Sequence, residues 1–426
     1  MRLAYVADGR SPIALNWIRH FVEAGHEVHL LSTSPCRPEL PLASLQVFRV
    51  AFSGAGSAGS PAGRRSGLFG AEGIGLRTVL RHWLGPLTVP DAARGVREAL
   101  QLIQPDLVHA MRVPFEGMLA AAADPAAPLL VSVWGNDFTL HAPAAPGMRR
   151  LTRRTLARAS ALHCDCRRDV RLAESWGLRP GALVEVIPGN GGVRSEIFYS
   201  AAGAEDGWRP DAPAGAEDGR RTNGLARAGE LRGPHPPGWD RIPAAAPVIV
   251  NPRGFRGYVR NDTFFRAIPR VLQAQPDACF VCPAMAGERP AQHWAARLGV
   301  EERVVLLPSL NPEQLGALFR RSHLSVSPSE HDGTPNTLLE AMACGSFPLA
   351  GDLESIREWI EPGVNGLLFD PDNPQSLAEG MLRALADEPL RAAAAQFNQR
   401  LIAQRGTYEM GMAKAEQLYE RLIRRD

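Results

Sequence analysis

From Leu3 to Ala7 the chain runs without a charge, as a parallel strand covered on both faces does. Ser11 then offers an N-cap, with Pro12 at the first helical position. Trp17, Ile18, Phe21 and Val22 share one helical face, and Gly25 supplies the stop. Val28 to Leu31 is the next strand. The alternation continues with a helix near 91–103, a strand at 106–109 and a helix near 115–123. A strand at 129–134, a helix near 147–160 and strands at 161–164 and 183–187 complete this half. From Val248 the same order restarts. Strands are expected at 248–250, 278–282, 303–306, 324–326 and 347–350, and helices at 262–273, 290–297, 312–321 and 336–344, then from 375 onward. This order predicts an α/β protein with two Rossmann-like, doubly wound domains facing each other across a cleft.

Two stretches break the pattern. Residues 53–67 are rich in Gly, Ala and Ser, and 200–246 are richer still in Pro, Gly and Ala. Within the second, Ala202-Gly203-Ala204-Glu205-Asp206-Gly207 returns as Ala214 to Gly219. Such segments bury too little apolar surface to offset their ordering entropy. The expected organisation is an N-terminal domain over 1–199 with a flexible loop at about 53–76, and a disordered linker over 200–246. A C-terminal domain over 247–405 follows, and a last helix over 406–426 packs back towards the first domain.

Composition narrows the class. The 426 residues are 45% hydrophobic and 22% charged, ordinary for globular domains. Net charge is +2 overall, with +6 over 1–199, −1 over 200–246 and −3 over 247–426. No apolar run approaches the roughly 18 residues of a spanning helix. The start lacks the apolar stretch of a signal peptide, so a cytoplasmic location is expected. The six cysteines make no disulfide framework. Cys279 and Cys282 have CxxC spacing inside an apolar strand, and Cys164 and Cys166 are equally isolated, so both pairs read as structural rather than metal-binding.

Chemistry belongs at the carboxyl ends of the strands. There the sequence places Ser327-Pro328-Ser329-Glu330-His331-Asp332-Gly333-Thr334-Pro335-Asn336-Thr337-Leu338-Leu339-Glu340, a strand end, a glycine-containing turn and a helix start. Free N–H groups and partial positive charge at a helix start favour an anion such as a diphosphate. Gly333 allows close backbone approach. Glu340, one turn in, can accept bonds from two vicinal hydroxyls. The competing reading is a capped helix whose Asp332 satisfies a loop. After strand 248–250 come Arg253, Arg256 and Arg260, and a pair of arginines there can reach both phosphates of one ligand. A solvated basic turn is the alternative.

These residues resemble the retaining glycosyltransferases of family 4, which have the GT-B fold. The family's motif of an acidic residue, seven residues, then Glu, running on as Leu-Leu-Glu-Ala-Met-Ala-x-Gly, is matched by Asp332 to Glu340 and by Leu338 to Gly345. Ser325 to Ser329, Gly363 to Phe369, Trp134-Gly135-Asn136-Asp137 and Ile187 to Gly191 are similar to further elements of the family. Three positions depart from its pattern: Asp332 stands where Glu is usual, Arg260 replaces a Lys one residue further on, and Trp134 stands where His is common.

The resemblance implies transfer of a sugar from a nucleotide diphosphate sugar to an acceptor hydroxyl with retention, in polysaccharide or glycolipid assembly. By it, Glu340 holds the ribose, while Asp332 and the segment Gly333, Thr334, Pro335 and Asn336 meet the donor sugar. Thr337, Leu338 and Leu339 face the diphosphate with their N–H groups. Arg253 and Arg260 neutralise the leaving diphosphate, and Gly9 closes over it. His109 is placed with the catalytic groups, and Asn136 and Asp137 on the acceptor side. The departing phosphate can take the acceptor's proton, so no protein base, cofactor or metal is expected. Asp370-Pro371-Asp372 spells DxD, but in a turn after the last strand, and reads as coincidence. The expected partners are the donor and a glycan or lipid-linked acceptor. Arg149, Arg150, Arg153, Arg154 and Arg158 read first as a solvated helix face and second as a peripheral contact with an anionic membrane.

Two other readings stay open. One is an inverting GT-B transferase or epimerase, with His109 or Asp137 as base. The other is a catalytically silent protein that binds sugar nucleotides within an assembly. A dinucleotide oxidoreductase lacks its GxGxxG. Nucleic-acid binding is disfavoured by arginines without interleaved aromatics and by a pI near 8.3.

Overall fold

A computed structural model describes residues 1–53, 71–200 and 238–424. Most of the repeat-bearing stretch expected to be a linker, and most of the loop expected near 53–76, lie outside these described residues.

The first domain contains β1 (Arg2–Ala7), α1 (Pro12–Glu23), β2 (Glu27–Ser32), β3 (Ser44–Val47), α2 (Ala71–Leu84), α3 (Val89–Ile103), β4 (Leu107–Ala110), α4 (Met118–Ala123), β5 (Leu129–Val133), α5 (Pro146–Arg158), β6 (Ala161–Cys164), α6 (Arg167–Trp176) and β7 (Leu183–Val186). Its seven strands are parallel in the order β3-β2-β1-β4-β5-β6-β7.

The second domain contains β8 (Val248–Val250), α7 (Asn261–Ala274), β9 (Cys279–Cys282), α8 (Arg289–Leu298), β10 (Val304–Leu306), α9 (Pro312–Arg321), β11 (Leu324–Ser327), α10 (Asn336–Ala343), β12 (Phe347–Gly351), β13 (Leu367–Phe369), α11 (Pro374–Ala386) and α12 (Glu388–Arg405). Its six parallel strands run β10-β9-β8-β11-β12-β13. This is the GT-B architecture. Strand order reverses between β1 and β4 and again between β8 and β11, so the loops leaving those four strands open a crevice where ligands bind in such sheets.

Each sheet is buried on both faces. Ala4, Val6, Val108 and Val131 pack towards α3 and α4 on one face of the first, and Leu3, Tyr5, Leu107 and Leu130 towards α1 on the other. The chain crosses back after α12. Helix α13 (Tyr408–Ile423) buries Met412, Ala415, Leu418 and Tyr419 against Tyr5, Trp17 and Phe21 of the first domain.

Three boundaries differ from expectation. Helix α2 starts at Ala71, inside the stretch expected to be a loop. Residues 238–246, expected in the linker, join the second core through buried Ile242 and Ala246. Helix α6 went unpredicted because its charged sequence, Arg167-Arg168-Asp169-Val170-Arg171, hides its narrow apolar face.

Candidate functional site

The donor-side turn leaves β11 and enters α10. Pro335 is the N-cap of α10 and no side chain caps its first turn, which leaves the Asn336 and Thr337 N–H groups directed out of the helix start. The expectation for Leu338 and Leu339 is corrected: their N–H groups donate to Pro335 O at 3.0 and 3.4 Å, inside the helix's own first turn. Gly333 sits where a Cβ would collide with the Asp165 carboxylate, so only glycine fits. Arg253 reaches over from the loop after β8. Its Nη2 donates to Asp332 Oδ2 at 2.5 Å and its Nη1 to Thr337 Oγ1 at 3.3 Å. The loop holding Arg253 is itself braced, because Arg253 N donates to Asn251 Oδ1 and Asn261 Nδ2 to Gly254 O.

Glu340 lies on α10, half-buried. Desolvation pushes its carboxyl up to about 7, with Arg253 pulling the other way. At the end of β11, on the turn and helix start that follow and on the arginine that reaches over them, Ser327 Oγ, Ser329 Oγ, Asn336 Oδ1 and Arg253 Nε are buried without a hydrogen-bond partner. Buried polar atoms left in this way call for a polar ligand.

Arg253, Asp332, Gly333, Thr334, Asn336, Thr337 and Glu340 therefore come together on the turn. Arg260 is brought near but spoken for. Its guanidinium pairs with Asp262 at 3.0 Å, with Glu330 at 3.7 Å and with Asp372. The DxD-like pair serves this turn, since Asp370 also accepts the Asp372 N–H at 2.9 Å. Arg256, on the same loop, is exposed and donates to Tyr258 Oη at 3.0 Å; desolvation opposes its charge, but Tyr258 and then Asp332 raise its pKa on balance.

On the opposite wall, Arg112 follows β4. It donates through Nε to Asp137 Oδ1 and through Nη2 to Asn136 Oδ1, both at 2.8 Å, and lies 5.2 Å from the Trp134 ring. Asp137 also accepts from Val113 N and Trp134 N. The acceptor role expected of Asp137 is thus corrected: it is fully buried and holds the 134–137 turn to the β4 loop. Asn136, half-exposed, stays on the cleft side. Beside them Asp8, Arg81, Arg112, Glu116, Trp134 and His141 help line a cavity of about 220 Å³. Gly9 lies in the β1–α1 loop at the same end, its N–H donating to Ser32 Oγ at 3.1 Å. Arg112 sits directly after the predicted strand 106–109, where ligand groups are expected, and that position was its only sequence signal.

His109 is likewise corrected. It is buried, and both ring nitrogens are used. The order of protons follows from the carbonyl at one end. Ile187 O can only accept, so His163 Nε2 donates to it at 2.9 Å. His163 Nδ1 then accepts from Ser132 Oγ, Ser132 accepts from His109 Nε2, and His109 Nδ1 accepts from Tyr419 Oη at 2.6 Å. Trp17 Nε1 and Tyr5 Oη complete the Tyr419 oxygen. Burial keeps both imidazoles neutral, with His163 pushed down to about 4. The chain of bonds fastens α13 to the sheet.

The two walls meet. Thr334 Oγ1 donates to Asp165 O at 2.6 Å, and Gly135 N donates to Asp165 Oδ2 at 3.2 Å. Arg168 lies between the domains. It donates to Gly135 O and Asp332 O, both at 2.6 Å, and to Ser355 Oγ at 3.2 Å, while pairing with Asp169. Glu358 caps α6 from across the cleft, accepting from Arg167 N and Arg168 N. Sequence reasoning missed Arg168 and Glu358, whose local patterns are those of ordinary surface charges.

Residues 9–190 match the family described as glycosyl transferase 4-like domain, and 241–400 match glycosyl transferases group 1. D-inositol 3-phosphate glycosyltransferase of Salinispora tropica is 32% identical over 33% of this chain and 31% of its own. The same-named protein of Corynebacterium urealyticum is 27% identical over 37% and 39%. The chain thus spans about a third of the length of the curated relatives it matches. In fold, sucrose-phosphate synthase from Thermosynechococcus elongatus aligns over 100% of both chains at 15% identity, with a TM-score of 0.72. Anabaena Alr3699/HepE, solved with UDP-glucose, aligns over 99% of this chain and 100% of its own at 16% identity and 0.67. No described helix is long and apolar enough to cross a membrane. A match to the glycosyl transferase 4-like domain is thus followed by a match to glycosyl transferases group 1, one on each of two parallel-sheet units with the GT-B fold.

Proposed function

We propose that the protein transfers a sugar from a nucleoside diphosphate sugar to an acceptor hydroxyl with retention of configuration. The observation that carries this reading is the uncapped start of α10, with Arg253 beside it and Glu340 one turn on. No described residue donates a hydrogen bond to the Glu340 carboxylate, whose only neighbouring charge is Arg253, which leaves both oxygens for the two hydroxyls of a ribose. The matched glycosyltransferase relatives and a structural neighbour solved with UDP-glucose support the donor class.

Bond cleavage builds negative charge on the leaving diphosphate. The N–H groups at the start of α10, with Arg253 and Arg256, face that charge, and preorganised donors of this kind are the largest catalytic term in many enzymes. Asp332, held by Arg253, meets the sugar. The acceptor occupies the cavity beside Trp134, Arg112 and Asn136, and its hydroxyl proton passes to the leaving phosphate. Because these cations serve the diphosphate, we assign no metal to the reaction. The acceptor is a glycan or lipid-linked glycan of an assembly pathway.

A thermal-shift series with UDP, GDP and ADP and their sugars tests the reading. A ligand at a hundred times its Kd stabilises by about 2.7 kcal/mol. Stabilisation by one nucleotide series, lost in Glu340→Ala, is expected, together with transfer or slow donor hydrolysis whose product keeps its anomeric configuration and which survives EDTA. Indifference to every donor would end the proposal. Binding without turnover would favour the silent sugar-nucleotide protein.

A further inference from the structure

Two carboxylates meet where the domains close, with one guanidinium beside them. Asp165 follows the end of β6, and Asp169 lies in the first turn of α6. Asp165 is 8% exposed and Asp169 1%. Asp169 Oδ1 accepts from Arg168 Nε at 3.0 Å and from its Nη2 at 2.7 Å, and Asp165 Oδ2 accepts from Gly135 N at 3.2 Å. That leaves Asp165 Oδ1 and Asp169 Oδ2, both buried without a hydrogen-bond partner. A carboxylate oxygen of each lies within 4.8 Å of the other and of Cys166 Sγ. Two ionised carboxylates this close in a dry site repel each other, and pairs so placed hold one proton between them. The proton makes one of the orphan oxygens a donor and the other its acceptor.

The other groups that face the pair are matched or neutral. Asp137 on the 134–137 turn pairs with Arg112, and Asp332 on the donor turn with Arg253. Glu358 is taken up by Arg167 N and Arg168 N. Cys164 and Cys166 flank Asp165, and burial pushes both thiols up, so they bear no charge. Burial, and then the Asp169 charge, push the Asp165 carboxyl well above its ordinary 3.8, against the pull of Arg168. Asp165 also bears the donor turn. Gly333 packs directly on its carboxylate, and Thr334 Oγ1 donates to its carbonyl at 2.6 Å while accepting from Trp359 Nε1 at 3.1 Å. An ionised Asp165 would set an unmatched charge against Asp332 on that turn.

We propose that Asp165 is a positioning residue for the donor turn and holds the two domains closed through one proton shared with Asp169. With that proton in place, the two carboxyls and Arg168 are neutral together, and Asp165 Oδ2 stays available to the Gly135 N–H. Loss of the proton sets two negative charges against one guanidinium at the domain contact, so the donor turn and the 134–137 turn part. The consequence for donor binding rests on the transferase reading; the shared proton and the closure do not.

Asp165→Asn, which fixes a neutral donor at the same place, tests this against the wild-type full chain. Stability from the shared proton is complete below the ordinary aspartate value and is lost as pH rises through the raised folded value. In urea unfolding, the folded-to-unfolded ratio of the wild type should therefore fall relative to Asp165→Asn by up to about tenfold per pH unit over that window. The variant should be the more stable of the two at neutral pH. Small-angle scattering should show the wild type expanding as pH rises through the folded value, Asp165→Asn staying compact and Asp165→Ala expanded throughout. Affinity for whichever of UDP, GDP and ADP binds should weaken on the alkaline side in the wild type alone. Closure that responds in this way while none of the three binds would uphold the shared proton and end the transferase reading. NMR of isotope-labelled aspartates in the wild type should show a carboxyl still protonated at neutral pH, a readout that needs no variant to fold. Absence of that carboxyl, a stability gap independent of pH, or a variant less stable than the wild type at neutral pH would each overturn the proposal. So would stabilisation by added zinc that EDTA reverses, which puts a cation in the place of the proton.

Discussion

Gly135 and Gly333 touch backbone to backbone across the cleft: a Cβ on Gly135 would overlap the amide of Gly333. One glycine closes the 134–137 turn of the first domain, the other opens the donor turn of the second. The contact therefore couples domain closure to the shape of the donor turn. Gly135→Ala should hold the domains apart at an overpacking cost of about 1–3 kcal/mol. A larger radius of gyration by small-angle scattering is expected, with turnover lowered more than donor affinity. An unchanged radius would dissociate the contact from closure.

Arg168 secures the same closure. Its guanidinium satisfies Gly135 O and Asp332 O while pairing with buried Asp169. Arg168→Met leaves that carboxylate uncompensated, and breaking a buried pair costs about 3–5 kcal/mol. Calorimetry should show a lower first transition or two separate domain transitions. Arg168→Met/Asp169→Leu should recover much of the loss.

Glu340 makes the donor site sensitive to pH. Its carboxyl, raised from 4.5 to about 7 by desolvation, must be ionised to accept both ribose hydroxyls. Nucleoside diphosphate affinity should thus weaken as pH falls through about 7, and Glu340→Gln should bind weakly with a flatter profile. The sign for stability is opposite. A group whose folded pKa is raised contributes fully below about 4.5 and loses that contribution as pH rises through about 7. The unliganded protein should be relatively more stable below pH 7, and Glu340→Gln should lose this dependence in thermal unfolding.

Arg253 and Arg260 separate by their partners. Arg253 is shared between Asp332 and Thr337 beside the helix start, whereas Arg260 is already ringed by Asp262, Glu330 and Asp372. Loss of a preorganised donor costs about 10²–10³ in kcat. Arg253→Gln should fall in that range, Arg256→Gln should also lose turnover, and Arg260→Gln should lose less than either. Equal losses at 253 and 260 would return Arg260 to the diphosphate.

Tyr419 anchors the last helix. Tyr419→Phe strips His109 Nδ1 of its donor and leaves Trp17 Nε1 without an acceptor. An unsatisfied buried polar group costs about 1–3 kcal/mol, so urea unfolding should shift accordingly while nucleotide binding holds.

Residue pattern alone was enough for the doubly wound halves and for the turn from Asp332 to Glu340. Both are local: strand and helix periods record which side of a segment is buried, and an uncapped helix start after a glycine turn is written in adjacent residues. The pattern did not say which arginine stays available, because Arg260 is claimed by carboxylates from three separate segments. It put His109 in the cleft, whereas the hydroxyl of Tyr419, 310 residues away, draws it into the core. Nothing in the residue order warned that Val79, Leu80, Trp83 and Leu84 of α2 would face water, since a helix's period is the same whichever way it is turned. Those choices depend on contacts between distant segments, which only the folded chain brings within hydrogen-bonding reach.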